Sequence, residues 1–214
     1  MERTEINLET YKRREKFEIF SQKQIPIFST TVAIDITRFK SIIDEQKLKF
    51  FASISYLISE VMNSIPAFKH RIIDGKLYEY NFINPGYTVL LPDNDFSFCF
   101  TPYNSNFSNF YNAVLEDISN VLQNKNETNG DNNHMFYITS NHWFSFTSFT
   151  HPYDPENGSI PIITLGKYYV ENDIIKMPIA IQAHHGLVDG YHFGLFYEQL
   201  QLKLNNFNPN FKPQ

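Results

Sequence analysis

The chain has 214 residues, 42% of them apolar and 16% aromatic, with a formal charge of −5. That length fits one domain with a large buried core, and the acidic balance gives no electrostatic case for nucleic acid. No window approaches the length of a membrane-spanning helix. The single cysteine, Cys99, excludes an intrachain disulfide framework and suits a reducing compartment. Charged residues stand at the N-terminus where a signal peptide needs an apolar run, so the expected location is the cytoplasm.

In chain order, residues 11–22 predict a short helix, with Phe17 and Phe20 on one face, Arg13 close by, and Pro26 ending it. Ile27 to Ile36 is strand-like. Phe50, Ile54, Leu57, Ile58, Val61 and Ile65 recur at helical spacing, which predicts a helix over 49–64. Asp74-Gly75 predicts a tight hairpin between Arg71–Ile73 and Lys76–Tyr80. Asn84-Pro85-Gly86 predicts a turn, Tyr87–Leu91 a strand, Pro92–Asp95 a turn and Phe96–Phe100 a strand. Phe110, Val114, Ile118 and Leu122 mark a helix over 107–123, and the polar tract Asn124–Asn133 an exposed loop. Residues 135–149 read as strand with a break near Asn141-His142. With no repeat and no boundary, residues 1–214 are expected to form a single domain.

The most informative stretch lies near the C-terminus. Ile179, Ile181 and Ala183 alternate with Ala180, Gln182 and His184, the period of a strand. Gly186 then permits a turn, and Phe193, Phe196, Leu200 and Leu204 predict a helix. His185 therefore sits where a buried strand empties into a loop, four residues before Asp189. Histidine is the side chain best suited to take a proton near neutral pH, and a hydrogen bond to one ring nitrogen sets the state of the other. Asp189 has three open roles: orienting His185, pairing with an arginine to lock the loop, or capping the following helix. Gly190 fits a chain reversal or a close backbone approach. His184 reads as a buried structural ring. His134, His142, His151 and His192 have no Cys or Glu at zinc-ligand spacing, so no metal site is expected, and they read as surface or loop residues.

His184-His185-x-x-x-Asp189-Gly190 resembles the signature of the coenzyme A-dependent acyltransferases. Its setting, Met177 to Gly194, resembles the chloramphenicol acetyltransferase family in particular. So do Ile163-Thr164-Leu165-Gly166-Lys167-Tyr168-Tyr169, the opening Arg13-Arg14-Glu15-x-Phe17-Glu18, and Ile34-Asp35-Ile36-Thr37. The similarity runs from about Tyr11 to Gln201. It implies an α+β fold, a two-layer sandwich of flanking helices on a mixed, largely antiparallel sheet. It also implies acetyl-CoA as co-substrate without a metal, and a homotrimer with active sites at subunit boundaries.

The resemblance assigns His185 as general base, and Asp189 with Arg13 as the pair that holds its loop. Thr139 takes the oxyanion-donor position, where the family has serine, with Ser140 adjacent as the alternative. Thr164 matches a threonine that holds a water near the transition state. Lys49, Phe51 and Tyr168 match contacts to the nucleotide end of coenzyme A. Phe20, Thr88, Phe96, Phe98, Tyr137 and Phe149 match the acceptor pocket. Phe20 lacks a hydroxyl that the family has, and Phe98, Tyr137, His151 and Tyr153 are larger or more polar than their counterparts. The expected reaction is acetyl transfer to a hydroxyl of chloramphenicol. The alternatives are another hydroxyl acceptor, a lipoyl-type acyltransferase core, and a silent binding protein on the same fold.

Overall fold

The computed structural model describes residues 2–123 and 132–209. Its first half runs β1 (Arg3–Glu5), α1 (Arg14–Ser21), β2 (Ile27–Asp35), α2 (Thr37–Glu45), α3 (Phe50–Ser64), β3 (His70–Ile73) and β4 (Lys76–Tyr80). Its second half runs β5 (Asn84–Leu90), β6 (Phe96–Phe100), α4 (Phe107–Leu122), β7 (Met135–Ser140), β8 (Ile162–Leu165), β9 (Tyr169–Glu171), β10 (Ile174–His184) and α5 (Gly190–Asn205). Among the described residues, no helix is long and apolar enough to cross a membrane.

Strand β10 is central. Every residue from Met177 to His184 is buried, as befits a strand covered on both faces. It pairs antiparallel with β2, β8 and β9, and the sheet continues from β8 through β7 and β5 to β6. The β7–β8 and β5–β7 pairs are parallel and β5–β6 is antiparallel, so the sheet is mixed. A smaller antiparallel sheet, β1-β4-β3, lies apart from it. The fold is α+β, as the resemblance implied.

The register separates two faces. On one, Cys99, Tyr87, Ile138, Ile163 and Ile181 line up across five strands, all buried. Helices cover this face: Phe51 of α3 meets Tyr87, and Phe193 of α5 stacks on Phe28 of β2 at 5.0 Å. The opposite face carries Phe98, Thr88, Thr139, Thr164, Ala180 and Thr31 side by side. Among the described residues no helix row seals it, and the segment 141–161 crosses it instead. Ser29 Oγ donates to the Phe149 carbonyl at 3.1 Å, and Gln182 binds the His151 backbone.

The Asp74-Gly75 hairpin forms as expected, with both residues at positive φ, 51° and 74°. Two expectations need correction, and some elements were not anticipated. Asn84-Pro85-Gly86 is no turn but the buried start of β5. The Pro85 carbonyl accepts from Thr101 N–H at 3.2 Å and the Asn84 side chain accepts from Tyr103 N–H at 2.7 Å, so the segment's polar groups are satisfied inside. Residues 143–149 are not strand, because β5 and β8 already flank β7 and leave no free edge beside it. Helix α2 was not anticipated, although Phe39 and Ile43 are buried on one side of it and Asp35 accepts from Thr37 N–H at 2.8 Å at its start. Strand β1 was not anticipated either. Of the polar tract Asn124–Asn133, residues 124–131 lie outside the described residues.

Gly86 admits the Tyr137 ring. A Cβ there would stand 3.0 Å from Tyr137 Cδ1 and 3.2 Å from Met135 Sδ. Gly86→Ala is therefore expected to lower stability by about 1–3 kcal/mol through overpacking. Urea denaturation checks this; a midpoint equal to wild type would show that Tyr137 yields freely.

Candidate active site

The loop after β10 is held from three sides. His185 N–H donates to the Pro26 carbonyl at 2.7 Å, which anchors the strand end to β2. His185 Nδ1 lies 3.0 Å from the Val188 carbonyl. A carbonyl only accepts, so Nδ1 carries the proton and Nε2 of the neutral ring keeps its lone pair. The ring is gripped by Phe20 at 4.1 Å and stacked on Phe28 at 4.7 Å, and the stack continues through Phe193 to Phe68 in the core. Gly186 leaves room for His184: a Cβ would meet that ring at 3.0 Å. Gly190 opens α5 in free space, so neither proposed constraint acts on it.

Asp189 takes two of its three open roles and leaves the His185 ring alone. Arg13 Nη1 donates to Asp189 Oδ2 at 2.6 Å, and Oδ1 accepts from Tyr191 N–H, capping α5. The sequence missed a third partner: His192 Nδ1 lies 2.8 Å from Asp189 Oδ1. The reading of His192 as a surface or loop residue is thus corrected; it is helical, and its side chain is 14% exposed. Its place three residues after an N-cap was the available signal. Burial pushes the Asp189 carboxyl up, but hydrogen bonds and charge from Arg13 and His192 outweigh it and hold the group at about 2. His184 is the buried ring expected. Its Nδ1 accepts from Gly186 N–H at 3.1 Å, and burial, aided by the charge of His185, lowers it to about 4.

The threonines form a second cluster on the open sheet face. Thr139 Oγ1 lies 3.5 Å from Thr88 Oγ1, and Thr139 stands beside Thr164 in the parallel β7–β8 register. Strand alternation turns Ser140 to the other face, so Thr139 shares the face with Thr88 and Thr164. Thr164 is 1% exposed because His151 covers it, with Nε2 2.8 Å from Thr164 Oγ1. His151 is a loop residue, as read, but a half-buried and engaged one. Nearby, a cleft of about 360 Å³ is lined by Tyr137, Phe98, Tyr153, Ile162 and Gln182. Phe96 and Phe98 meet edge to face at 5.6 Å on β6, both more than half exposed, and Phe149 packs against the His151 ring at 5.1 Å.

One chain does not unite its two clusters. Ala180 is the β10 neighbour of Thr164, and His185 lies five residues further on. At about 3.3 Å per residue, roughly 16 Å of strand separates them. Lys49, Phe51 and Tyr168 take different surroundings. Phe51 turns inward against Tyr87 at 5.0 Å, whereas Phe50 neighbours the exposed Tyr168 at 6.3 Å and Lys40 Nζ sits 5.9 Å above that ring. Lys49 stands at the N-cap position of α3 with an exposed side chain that makes no capping bond.

A two-layer α+β sandwich with a histidine at the end of its central strand and hydroxyls on an open sheet face defines an acyltransferase-like architecture. The family model described as Chloramphenicol acetyltransferase matches residues 1–201. A chloramphenicol acetyltransferase of Escherichia coli is 32% identical over 201 residues, covering 92% of each chain. One of Clostridium perfringens is 33% identical over 207 residues, covering 94% of each. A solved chloramphenicol acetyltransferase structure superposes with a TM-score of 0.84 at 24% identity, covering 95% of this chain and all of that one. The chain belongs to the chloramphenicol acetyltransferase family, whose members are acyltransferases that use acetyl-CoA.

Two acid-side stability losses are expected. His184 and His70 both fall from 6.5 to about 4 on folding, chiefly through burial. Between those values the unfolded chain binds more protons, so stability falls as pH drops through that window. From 3.8 down to about 2, Asp189 gives a further loss. Urea titrations across pH should show both steps, with Asp189→Asn lacking much of the lower one; an unchanged lower step would place its origin elsewhere.

Proposed function

We propose that this protein transfers the acetyl group of acetyl-CoA to a hydroxyl of chloramphenicol and so inactivates the antibiotic. The observation that carries this is the committed Nδ1–H of His185, which leaves Nε2 free as a base on a rigid ring. In this mechanism Nε2 takes the acceptor's hydroxyl proton as that oxygen attacks the thioester carbonyl. Thr139 donates to the tetrahedral oxyanion. Collapse breaks the carbon–sulfur bond, the imidazolium returns the proton to the departing sulfur, and the acetyl ester and coenzyme A leave. Arg13 with Asp189 holds the loop throughout. The nucleotide end of coenzyme A lies by Lys49 and Tyr168, with Phe50 and Lys40 beside them and Phe51 buttressing from within. Phe20, Thr88, Phe96, Phe98, Tyr137 and Phe149 frame the acceptor.

We read residues 1–214 as one domain that acts in the cytoplasm as a homotrimer. The separation of His185 from Thr139 favours that assembly, since each active site then takes His185 from one copy and the threonine cluster from its neighbour. A different hydroxyl acceptor is the second reading. Tyr137 seated on Gly86 and Tyr153 seated on Gly158 favour it, because they narrow the cleft.

Free-thiol release from acetyl-CoA tests the reaction. Chloramphenicol should stimulate it, and His185→Ala should lower the rate about 10²–10⁴-fold, the usual weight of a general base. Tight acetyl-CoA binding without chloramphenicol-dependent release would select the second reading, and a fully active His185→Ala would remove the base assignment. Co-expressed His185→Ala and Thr139→Ala chains should regain part of the activity that each lacks alone; no recovery would count against a shared site.

A further inference from the structure

Thr164 is expected to face the reacting groups, yet its side chain is sealed beneath His151. The seal is built rather than incidental. Gln182 Oε1 accepts from His151 N–H at 2.9 Å, and Gln182 Nε2 donates to the His151 carbonyl at 3.3 Å. Gln182 itself is buried in β10, three residues before His185. Phe149, whose carbonyl is tied to Ser29, packs on the ring at 5.1 Å. Thr164 Oγ1 occupies Nε2. The other nitrogen, Nδ1, makes no hydrogen bond among the described residues. Nδ1 of His151 is not among the buried side-chain atoms without a partner there, which are Arg13 Nε, Ser55 Oγ, Arg71 Nε and Asn141 Oδ1, so it keeps some exposure.

From this geometry we infer that His151, not Thr164, is the polar group presented to the acceptor, and that it selects acceptors carrying a second hydrogen-bonding group beside the reacting hydroxyl. The inference rests on the acetyltransferase reading above. Thr164 is then a positioning residue: by holding Nε2 it decides what Nδ1 offers. Burial alone shifts the ring, lowering its affinity for protons, with no charged side chain contributing. The groups in contact with it are neutral: Thr164 on β8, Gln182 on β10 and Phe149 on its own segment. The contact is thus a neutral hydrogen bond on a fixed ring. No residue type in the sequence pattern marks this, because the His151–Thr164 pair exists only once the crossing segment lies on the sheet.

Two amides separate the nitrogens. In His151→Asn the amide falls where Nδ1 lies, and in His151→Gln it falls where Nε2 lies. Steady-state kinetics with chloramphenicol and acetyl-CoA should show His151→Leu and His151→Gln raising the chloramphenicol KM about tenfold, the weight of one hydrogen bond. His151→Asn should stay within about twofold of wild type, and the acetyl-CoA KM should be unchanged in all three. Both amides remove the ring, so impaired folding would strike them alike and not in this order. Rescue by Gln but not by Asn, or a Leu variant with the wild-type chloramphenicol KM, would overturn the inference while leaving the acetyltransferase reading in place. No transfer by the unaltered protein to chloramphenicol or other hydroxyl acceptors would instead defeat that reading, and the role of His151 with it.

Discussion

Arg13 and Asp189 stand 176 residues apart in sequence and 2.6 Å apart in space. This pair joins the residue just before α1 to the N-cap residue of α5. The carboxylate also caps the helix and binds His192, so one side chain marks where the helix starts and ties its first turn to α1. His185 needs no bond of its own to Asp189. It inherits its position, because the Val188 carbonyl that fixes its tautomer is the neighbour of the anchored residue. Removal of either ion would leave a partly buried charge without its partner, which costs more than the pair contributes when intact.

The sheet turns that local order into two environments. Period-two alternation sends Tyr87, Ile138, Ile163 and Ile181 to the helix-covered face, and the same alternation sends Thr88, Thr139 and Thr164 to the other. Burial on one side provides the hydrophobic stabilisation, which leaves the open side able to carry hydroxyls and exposed rings such as Phe96 and Phe98. The segment 141–161 is tied by backbone bonds to β8 and β7 at its ends, and over the open side it is held by side-chain bonds from Ser29 and Gln182. A segment attached in this way shapes the wall of a pocket without disturbing the strands beneath it. His151 and Tyr153 lie on it.

Much of the architecture was legible because it follows from short-range rules. The spacing of Phe50, Ile54, Leu57 and Val61 predicted α3, Asp74-Gly75 predicted a hairpin that demands positive φ, and the apolar alternation before His185 predicted β10. The same rules misled where distant partners decided the outcome. Asn84-Pro85-Gly86 has the composition of a turn, yet Thr101, Tyr103 and His134 satisfy its backbone and side chain inside the sheet. Residues 143–149 are as aromatic and β-branched as a strand, but β7, which they follow, is already flanked by β5 and β8.

For the candidate site the division is similar. The motif around His185, its distance from Asp189 and the choice of Arg13 as partner were determined by the sequence, through residue types and their resemblance to a family pattern. Only the tertiary structure decided that Val188, not Asp189, holds the histidine ring, that His192 joins the carboxylate, that Phe50 rather than Phe51 stands beside Tyr168, and that His151 seals Thr164. The reason is physical. Periodicity and motif spacing report which face of an element a residue occupies. Contacts between side chains on different elements depend on register and crossing geometry, which no local stretch of sequence contains.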